Sequence, residues 1–136
     1  MRHLPKSIRR VMDELGKLPG IGPKTAGRLA FYLVKQPPSQ SELLGDAVRN
    51  LHHDLVFCST CYNIAEADPC AICSDASRDR SVVAIVEQPL DTVALEKTEF
   101  RGLYHVLGGV ISPIDGVGPE NVRIRELIER LQTNPD

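Results

Sequence analysis

The chain of 136 residues lacks tryptophan and contains only three phenylalanines and three tyrosines. Proteins that bind single-stranded nucleic acid stack its bases on aromatic side chains, so this scarcity disfavours a single-strand reader. We expect Phe31, Tyr32 and Phe57 to lie in hydrophobic cores instead. No apolar run approaches the roughly 20 residues that cross a bilayer, and residues 1–7 lack the apolar stretch of a secretion signal. These absences favour a cytoplasmic protein with no membrane partner.

Cysteine is absent outside one window of sixteen residues, where four of them form the pattern Cys-x2-Cys-x8-Cys-x2-Cys. Each Cys-x2-Cys pair places two thiolates on one turn, and two pairs complete the tetrahedral sulfur site that Zn²⁺ prefers. Four protein ligands leave no open position for catalysis, so we expect a structural zinc. The predicted ligands are Cys58, Cys61, Cys70 and Cys73.

Other interpretations of this window stay open at the level of sequence. The gap of eight residues between the pairs is shorter than the usual spacing of zinc sites with two such pairs. Two disulfides would satisfy the same cysteines in a secreted protein, and a redox or iron site is a further alternative. His52 and His53 lie close enough to act as ligands, but with four cysteines present we expect them to be surface residues.

Charge is distributed unevenly, although the formal net charge is only −2. Residues 1–35 contain eight Lys and Arg against two Asp and Glu, whereas residues 58–136 contain seven against thirteen. The first segment attracts a polyanion such as nucleic acid, and the second repels one. We therefore expect a nucleic-acid site near the N-terminus and a basic protein partner for the acidic part.

The basic segment contains a helix, a tight turn and a second helix. Apolar residues recur at the spacing of one helical face over residues 6–18, and the two glycines and proline of residues 19–22 cannot continue that helix. Pro23 is suited to begin the second helix, which ends before residues 36–38. The pattern Ser-Gln-Ser-Glu at residues 39–42 fits a capping box and predicts a third helix.

Four residues at this turn are candidates for contact with a phosphate backbone. Gly20 and Gly22 leave backbone N–H groups unobstructed at the start of the second helix, where partial positive charge favours a phosphate. Lys24 and Arg28 are four residues apart, so they lie on one side of that helix and can reach the same DNA backbone. We predict duplex binding without base reading. A plain turn between packed helices, with basic residues facing solvent, is the alternative.

The remaining residues alternate between strand and helix patterns, which is the order of an α/β unit. Glu87 ends the first strand, at the rim where α/β sheets bind ligands and where carboxylates hold Mg²⁺. A strand-end charge that faces water is the alternative for Glu87. The predicted elements are a strand at 81–87, a helix at 91–98, a strand at 103–107, a loop at 108–119 and a helix at 120–131.

Taken in order, these motifs resemble the RecR family of bacterial recombination mediators. The resemblance spans the whole chain and implies an α+β multi-module protein. The expected modules are an N-terminal helical helix-hairpin-helix domain at residues 1–54, a small four-cysteine zinc-finger module at residues 55–79 and a partial α/β Toprim domain at residues 80–136. The blocks that carry the resemblance are Leu18–Lys24, the four cysteines, the strand ending in Glu87, Tyr104–Gly109 and Ser112–Pro113.

The resemblance implies a function in recombinational DNA repair, in the cytoplasm at the nucleoid. Members of the family act with RecO and RecF to help load RecA at gapped DNA, and they assemble into rings that surround duplex DNA. It assigns DNA contact to Lys24 and Arg28, zinc ligation to the four cysteines and the acidic Toprim position to Glu87. Family chains continue beyond the length seen here, so we expect a natural or engineered truncation.

Enzymatic activity is not expected. Catalytic Toprim enzymes pair the strand-end glutamate with a later Asp-x-Asp, and no Asp-x-Asp occurs in these 136 residues. A single carboxylate binds Mg²⁺ poorly, which favours a non-enzymatic scaffold or clamp. The resemblance implies that this scaffold forms a homo-oligomer. One alternative is a Mg²⁺-dependent Toprim nuclease or topoisomerase fragment that uses Glu87. Another is a zinc-stabilised oligomerisation module whose hairpin packs against a second subunit.

Overall fold

The computed structural model describes residues 3–133, and this part of the chain divides into two compact units between His52 and His53. Unit 1, up to His52, is helical, and unit 2, from His53 onward, contains strands and helices. The helices are α1 (Lys6–Leu15), α2 (Pro23–Lys35), α3 (Pro38–Arg49), α4 (Ala71–Ser74), α5 (Pro89–Glu96) and α6 (Ile124–Thr133). The strands are β1 (Val56–Phe57), β2 (Ile64–Ala65), β3 (Val83–Val86) and β4 (Leu103–Val106).

The first two helices of unit 1 pack through small side chains. Ala26 and Ala30 of α2 are 1% and 2% exposed, and they lie on the predicted apolar face. A Cβ added at Gly27 would meet the Met12 Cε atom of α1 at 3.4 Å, so α1 approaches α2 closely there. Pro23 begins α2, as predicted, because its missing N–H falls where a helix has no acceptor for one.

The third helix begins earlier than its sequence pattern predicts. Its first residue is Pro38, Pro37 is the N-cap, and no side chain caps the helix. The predicted capping box at residues 39–42 is therefore wrong. The physical reason is the proline pair, whose fixed φ angles set the first turn before the serines are reached.

The three aromatic residues predicted to lie in cores are exposed. Phe31, Tyr32 and Phe57 keep 44%, 59% and 65% of their surface, so that prediction is wrong. Each residue turns an α-helix by about 100°, so Phe31 and Tyr32 point away from the buried face defined by Ala30. Phe57 lies in a strand of only two residues, which buries neither of its side chains.

Unit 2 contains two small sheets. β1 and β2 pair antiparallel, with Val56 opposite Ala65, and β3 and β4 pair parallel, with Val83 opposite Leu103. The parallel pair joined through α5 confirms the predicted order of strand, helix and strand. All four residues of β4 are buried. Two of them, Tyr104 and Val106, form a hydrophobic core with Val86 of β3 and with partly buried apolar side chains around them. The members of this core are Val86, Tyr104, Val106, Ile72, Ala84, Leu95 and Phe100.

Two helices of unit 2 begin at residues other than those predicted. α5 begins at Pro89, because the Gln88 N–H donates to Asp91 Oδ2 at 2.9 Å and closes the first turn. The last helix begins at Ile124, four residues late. Residues 119–121 form a separate 3-10 turn, closed by the Asn121 side chain, and Val122 is extended and 5% exposed. The predicted first helical turn is therefore absent from α6, because Val122 is buried in an extended conformation.

No helix within residues 3–133 is both long enough and apolar enough to cross a membrane.

Candidate nucleic-acid interface and metal centre

The turn between α1 and α2 is closed by its own backbone. The Leu18 N–H donates to the Leu15 carbonyl at 3.1 Å, and the Ile21 N–H donates to the Leu18 carbonyl at 3.2 Å. Gly20 has a φ of +79°, which lies in the left-handed region. Residues with a Cβ adopt this conformation only at a cost in free energy. The turn therefore depends on glycine at residue 20.

The first turn of α2 presents free backbone donors. Gly22 is its N-cap, the Gly22 carbonyl accepts the Ala26 N–H at 2.9 Å, and no side chain caps the helix. The N–H groups of Lys24 and Thr25 accordingly have no acceptor within the helix. The first turn also contains no acidic residue, so the partial positive charge of the helix end is not offset locally.

The structure brings the predicted phosphate-binding residues to this exposed end of unit 1. Gly20, Gly22, Lys24 and Arg28 are all exposed. Lys24 and Arg28 lie one turn apart on α2, and neither forms an ion pair within residues 3–133. Two free cations beside uncapped backbone donors suit a phosphodiester. Their contact with DNA stays a prediction.

The four cysteines form a buried cluster in unit 2. Cys58, Cys61, Cys70 and Cys73 are at most 7% exposed, and their Sγ atoms all lie within 4.8 Å of one another. A tetrahedral zinc site with Zn–S bonds of about 2.3 Å requires sulfur atoms about 3.8 Å apart. The cysteines are free thiols, so the disulfide alternative is not realised. His52 and His53 are exposed and lie outside the cluster.

Backbone hydrogen bonds hold the sulfur atoms in place. The Cys70 N–H donates to Cys58 Sγ at 3.3 Å, and the Cys73 N–H donates to Cys70 Sγ at 3.4 Å. Asp68 Oδ1 accepts from both the backbone N–H and the hydroxyl of Ser59, at 2.8 and 2.9 Å, which ties the two Cys-x2-Cys turns together. These same bonds lower the pKa of the Asp68 carboxyl. The cluster is therefore organised by its own loop.

The protonation of the thiols favours a cation. A hydrogen bond from Cys73 lowers the pKa of Cys61 to about 5 and raises the pKa of Cys73, and burial raises the pKa of Cys70. Four buried thiols cannot all ionise without a positive charge among them, and a bound metal supplies it. The donor set, burial and spacing thus fit a closed, structural Zn²⁺ site.

The cysteine module is hydrogen-bonded to the α/β part of unit 2. The Cys61 carbonyl accepts the Val106 N–H of β4 at 2.8 Å, and the Asn63 amide donates to the Thr92 hydroxyl of α5 at 3.3 Å. Tyr62, at a φ of +62°, projects its ring between Arg123, 4.9 Å from the ring centroid, and His105. Zinc binding therefore supports the edge of β4 as well as its own loop.

Sequence reasoning missed His105 as a structural residue. It is fully buried, its Nε2–H donates to the Arg123 carbonyl at 2.8 Å, and burial lowers its pKa. Arg130 of α6 donates to the Tyr104 carbonyl at 2.6 Å and lies 3.4 Å from His105 Nδ1. These contacts join α6 to β4. Nothing in the local sequence distinguishes His105 from a solvent-facing strand residue.

A second missed group is the ion pair between Arg78 and Glu96. The Arg78 side chain is 7% exposed, and its Nη2 lies 2.6 Å from Glu96 Oε2. This hydrogen bond lowers the pKa of Glu96. The Tyr104 hydroxyl donates to Glu96 Oε1 at 2.7 Å, and burial raises the pKa of Tyr104 to about 12. The network fixes the end of α5 against β4.

Glu87 is exposed and directly follows β3, at the predicted strand end. Its carbonyl accepts the Gly108 N–H at 2.9 Å, which continues the pairing with the chain after β4. Within residues 3–133, the four cysteines are the only group of three or more His, Cys, Asp or Glu side chains that come close enough to share a metal. The structure therefore does not join Glu87 to two further carboxylates.

Comparison with known families gives three matches that together cover most of the chain. The family model of the RecR helix-hairpin-helix matches residues 8–52, that of the RecR zinc finger domain with four cysteines matches residues 55–75, and that of the Toprim domain matches residues 81–135. The matched zinc-finger domain contains the buried cysteine cluster, so the metal of this chain is a structural zinc.

Curated relatives extend these matches. The recombination protein RecR of Herpetosiphon aurantiacus is 51% identical over 132 residues, which are 96% of this chain and 65% of the relative. That of Heliobacterium modesticaldum is 52% identical over 132 residues, 96% of this chain and 66% of the relative. That of Acidothermus cellulolyticus is 54% identical over 125 residues, 91% of this chain and 63% of the relative. The chain thus spans about 65% of the length of the relatives it matches, and with its helix-hairpin-helix, four-cysteine zinc finger and Toprim region it belongs to the RecR family.

Proposed function

We propose that this chain is a DNA-binding scaffold of recombinational repair, which acts without catalysis of its own. Unit 1 holds duplex DNA by its phosphate backbone, and the zinc site keeps unit 2 folded as a surface for protein partners. The named relatives are recombination proteins, which supports the process. By family resemblance, the partners are RecO and RecF, and the outcome is the loading of RecA at gapped DNA in the nucleoid.

The exposed start of α2 is the observation that carries this proposal. It combines backbone N–H groups that have no acceptor within the helix with Lys24 and Arg28, which form no ion pair among residues 3–133. The segment contains six more basic than acidic residues. Backbone N–H groups at a helix N-terminus recognise phosphate, and Lys24 and Arg28 lie where they can reach the same DNA backbone. The proposal is therefore sequence-independent contact with the duplex backbone.

The test is DNA binding by fluorescence anisotropy at several salt concentrations, with the zinc-loaded chain and a labelled duplex. The affinity of the native chain should fall with salt, because binding releases counterions from the DNA. The double variant Lys24→Ala/Arg28→Ala should lower the affinity about tenfold at low salt and reduce the salt slope by about two units.

The matched control is Lys97→Ala/Arg101→Ala, which removes the same charge from unit 2. We expect this variant to bind DNA as the native chain does. Equal losses in both variants would mean that total charge, and not the α2 end, determines binding. A native chain whose DNA affinity is absent or insensitive to salt would overturn the proposal.

The acidic balance of residues 58–136 supports a basic protein as the partner of unit 2. Like charge repels DNA from this part of the chain and attracts a cationic protein surface. We assign Glu87 to this partner surface, since it is exposed at the end of β3. Glu87→Lys should weaken capture of RecO and leave DNA affinity unchanged or slightly raised, measured on the same preparation.

We further propose that the chain forms a homo-oligomer through unit 1. Within the described residues of unit 1, only Ala26 and Ala30 are buried, whereas a groove of about 510 Å³ opens between α1, α2 and α3. Its walls are mostly apolar and include Val11, Leu44 and Val48. An exposed apolar groove of this kind favours association with a second apolar surface, and an identical unit supplies such a surface.

Sedimentation analysis tests the oligomer. Val48→Lys places a charge in the groove and should convert the chain to a monomer. Leu43→Lys is the control, because Leu43 is 68% exposed on the same helix and does not line the groove. A native chain that sediments as a monomer, or equal effects of both variants, would contradict this part of the proposal.

The absence of catalysis is part of the same proposal. The Toprim match raises the alternative of Mg²⁺-dependent cleavage with Glu87 as a ligand. One exposed carboxylate without two neighbours of the same kind does not organise the metal for phosphoryl transfer. We expect no nicking of supercoiled plasmid with Mg²⁺ or Mn²⁺. Nicking that disappears in Glu87→Gln would establish the enzyme instead.

These functions are assigned to three modules, at residues 1–54, 55–79 and 80–136. Limited proteolysis with and without zinc tests this division. We expect cleavage to begin near residues 55 and 79, and zinc removal to expose new sites between them.

A further inference from the structure

Unit 2 contains a cavity of about 530 Å³ at the carboxyl ends of the parallel strands. Residues that follow β3 and β4 line one side of it, the 3-10 turn and the start of α6 line another, and the β1–β2 hairpin completes the wall. Open α/β sheets bind their ligands at this end of the strands. The cavity is separate from the cysteine cluster and from Glu87, neither of which lines it.

A buried carboxylate oxygen in this cavity has no hydrogen-bond partner. Glu126 of α6 lines the cavity, and its Oε2 atom is buried without a partner among residues 3–133. Its other oxygen, Oε1, lies 3.5 Å from Arg123, whose guanidinium already stacks over the Tyr62 ring. The Glu126 side chain keeps 26% of its surface exposed, so its carboxylate can turn toward an N–H donor in the cavity and gain a strong hydrogen bond.

The rest of the lining indicates which donor fits. Glu120 adds a second carboxylate, so the lining contains more negative than positive charge. Phe57 and Ile64, which are 65% and 45% exposed, form an apolar wall beside the carboxylates. An arginine side chain combines a cationic fork of N–H donors with an apolar stem and a flat face that stacks on an aromatic ring.

We propose that this cavity binds an arginine side chain of a partner protein, with the Glu126 carboxylate accepting from the guanidinium and Phe57 packing on it. This inference rests on the proposed function in one respect, because it locates the contact of the acidic unit with a basic partner. A nucleic-acid ligand is disfavoured by the surrounding acidic balance.

The experiment is an NMR titration of the zinc-loaded, ¹⁵N-labelled full chain with N-acetyl-arginine methylamide. The matched neutral probe is N-acetyl-citrulline methylamide, which has nearly the same shape without the charge. We expect the arginine probe alone to shift the amide signals of Gly108, Val122 and Glu126 in a saturable way. Neither DNA nor RecO is present, so the result does not depend on the DNA-binding test above.

Two variants on the same helix make the test specific. Glu126→Gln should weaken binding of the arginine probe about fivefold, because the accepting charge is removed. Glu129→Gln removes the same charge from an exposed side chain on α6 and should leave binding unchanged. Phe57→Ser, at an exposed position, provides a second loss of affinity should Glu126→Gln fold poorly.

Several results would overturn the proposal. The first two are an arginine probe that causes no saturable shift and a citrulline probe that binds as tightly as the arginine probe. The other two are a Glu129→Gln variant that weakens binding as much as Glu126→Gln, and a folded Glu126→Gln or Phe57→Ser variant that binds the arginine probe as the native chain does. The DNA affinity of each variant is measured in parallel. A native chain that binds DNA but not the arginine probe would show that this site fails while the proposed function stands. A native chain that binds the arginine probe but not DNA would show the reverse.

Discussion

The two units of this chain are stabilised in different ways. Unit 1 is basic and has only Ala26 and Ala30 buried among its described residues, so close packing of α1 on α2 is its main internal support. Unit 2 is acidic and contains a buried cysteine cluster, a fully buried strand β4 and an internal ion pair. The predicted phosphate-binding groups thus lie on the unit with little interior, and the metal site lies in the unit whose small sheets need support.

Zinc removal provides the largest expected contrast between the units. The apparent binding free energy of a structural zinc is on the order of 10 kcal/mol, and folding of the cysteine module depends on it. Chelation, or the double variant Cys58→Ser/Cys61→Ser, should unfold residues 58–73 and loosen β4, which pairs with the Cys61 carbonyl. Hydrogen exchange should therefore rise throughout unit 2.

The helices of unit 1 serve as the internal control for that experiment. Their amide protection should change little, because the backbone N–H groups of α1 and α2 beyond the first turn are bonded within their own helices. Unchanged heat stability of the double cysteine variant would contradict the structural role of zinc.

Breaking the ion pair of unit 2 should have the next largest effect. Glu96→Gln leaves the nearly buried Arg78 guanidinium with only the more distant Asp75 carboxylate, 3.8 Å from its Nε, at a cost of about 2 kcal/mol in the free energy of unfolding. Chemical denaturation monitored by circular dichroism measures this loss. Glu99→Gln, three residues further along, is the control and should change the unfolding free energy by less than about 0.5 kcal/mol.

Unit 1 has a comparable weak point at its turn. Gly20→Ala forces a Cβ into the left-handed region and should destabilise the hairpin by about 1 kcal/mol, although no atom lies within 4 Å of the added group. Gly22→Ala is the matched variant, because Gly22 has a φ of −81° and equal space. Thermal unfolding of both variants compares them, and equal losses would show that backbone conformation is not the cause.

The smallest expected effect is a change in the alkaline range. The pKa of Tyr104 is raised to about 12 in the folded chain, above the usual value near 10. Its contribution to stability is therefore fully present below pH 10 and is lost as the pH rises from 10 through 12. The phenolate absorbance difference between the native chain and Tyr104→Phe should appear near pH 12. A difference that appears near pH 10 would contradict the buried contact with Glu96.

Local signals in the sequence predicted much of the fold, the cysteine cluster and the turn before α2. The spacing of the four cysteines encodes a metal geometry directly, and the glycines and prolines of residues 19–23 encode a turn, so both were correctly located along the chain. The predicted helix boundaries that were wrong lie where several local signals compete. Pro37 and Pro38 overrode a capping box, and burial of Val122 shortened the last helix.

The residues that sequence reasoning missed act through distant contacts. Arg78 meets Glu96 across 18 residues, and Arg130 meets the Tyr104 carbonyl across 26. No periodicity or motif specifies such pairs, because they form only after β3, α5 and β4 have assembled. The prediction that Phe31 and Tyr32 are buried was wrong for a related reason, because aromatic character alone does not show which side of α2 is buried.

The most direct test of the account is hydrogen exchange of the zinc-loaded chain with and without duplex DNA at low salt. The N–H groups of Lys24 and Thr25 have no acceptor within α2, so we expect them to exchange rapidly in the free chain and more slowly when a phosphate accepts them. We expect slower exchange in residues 18–28 of unit 1 and no change in residues 58–133 of unit 2. Slower exchange in unit 2, with residues 18–28 unchanged while DNA is bound, would contradict it.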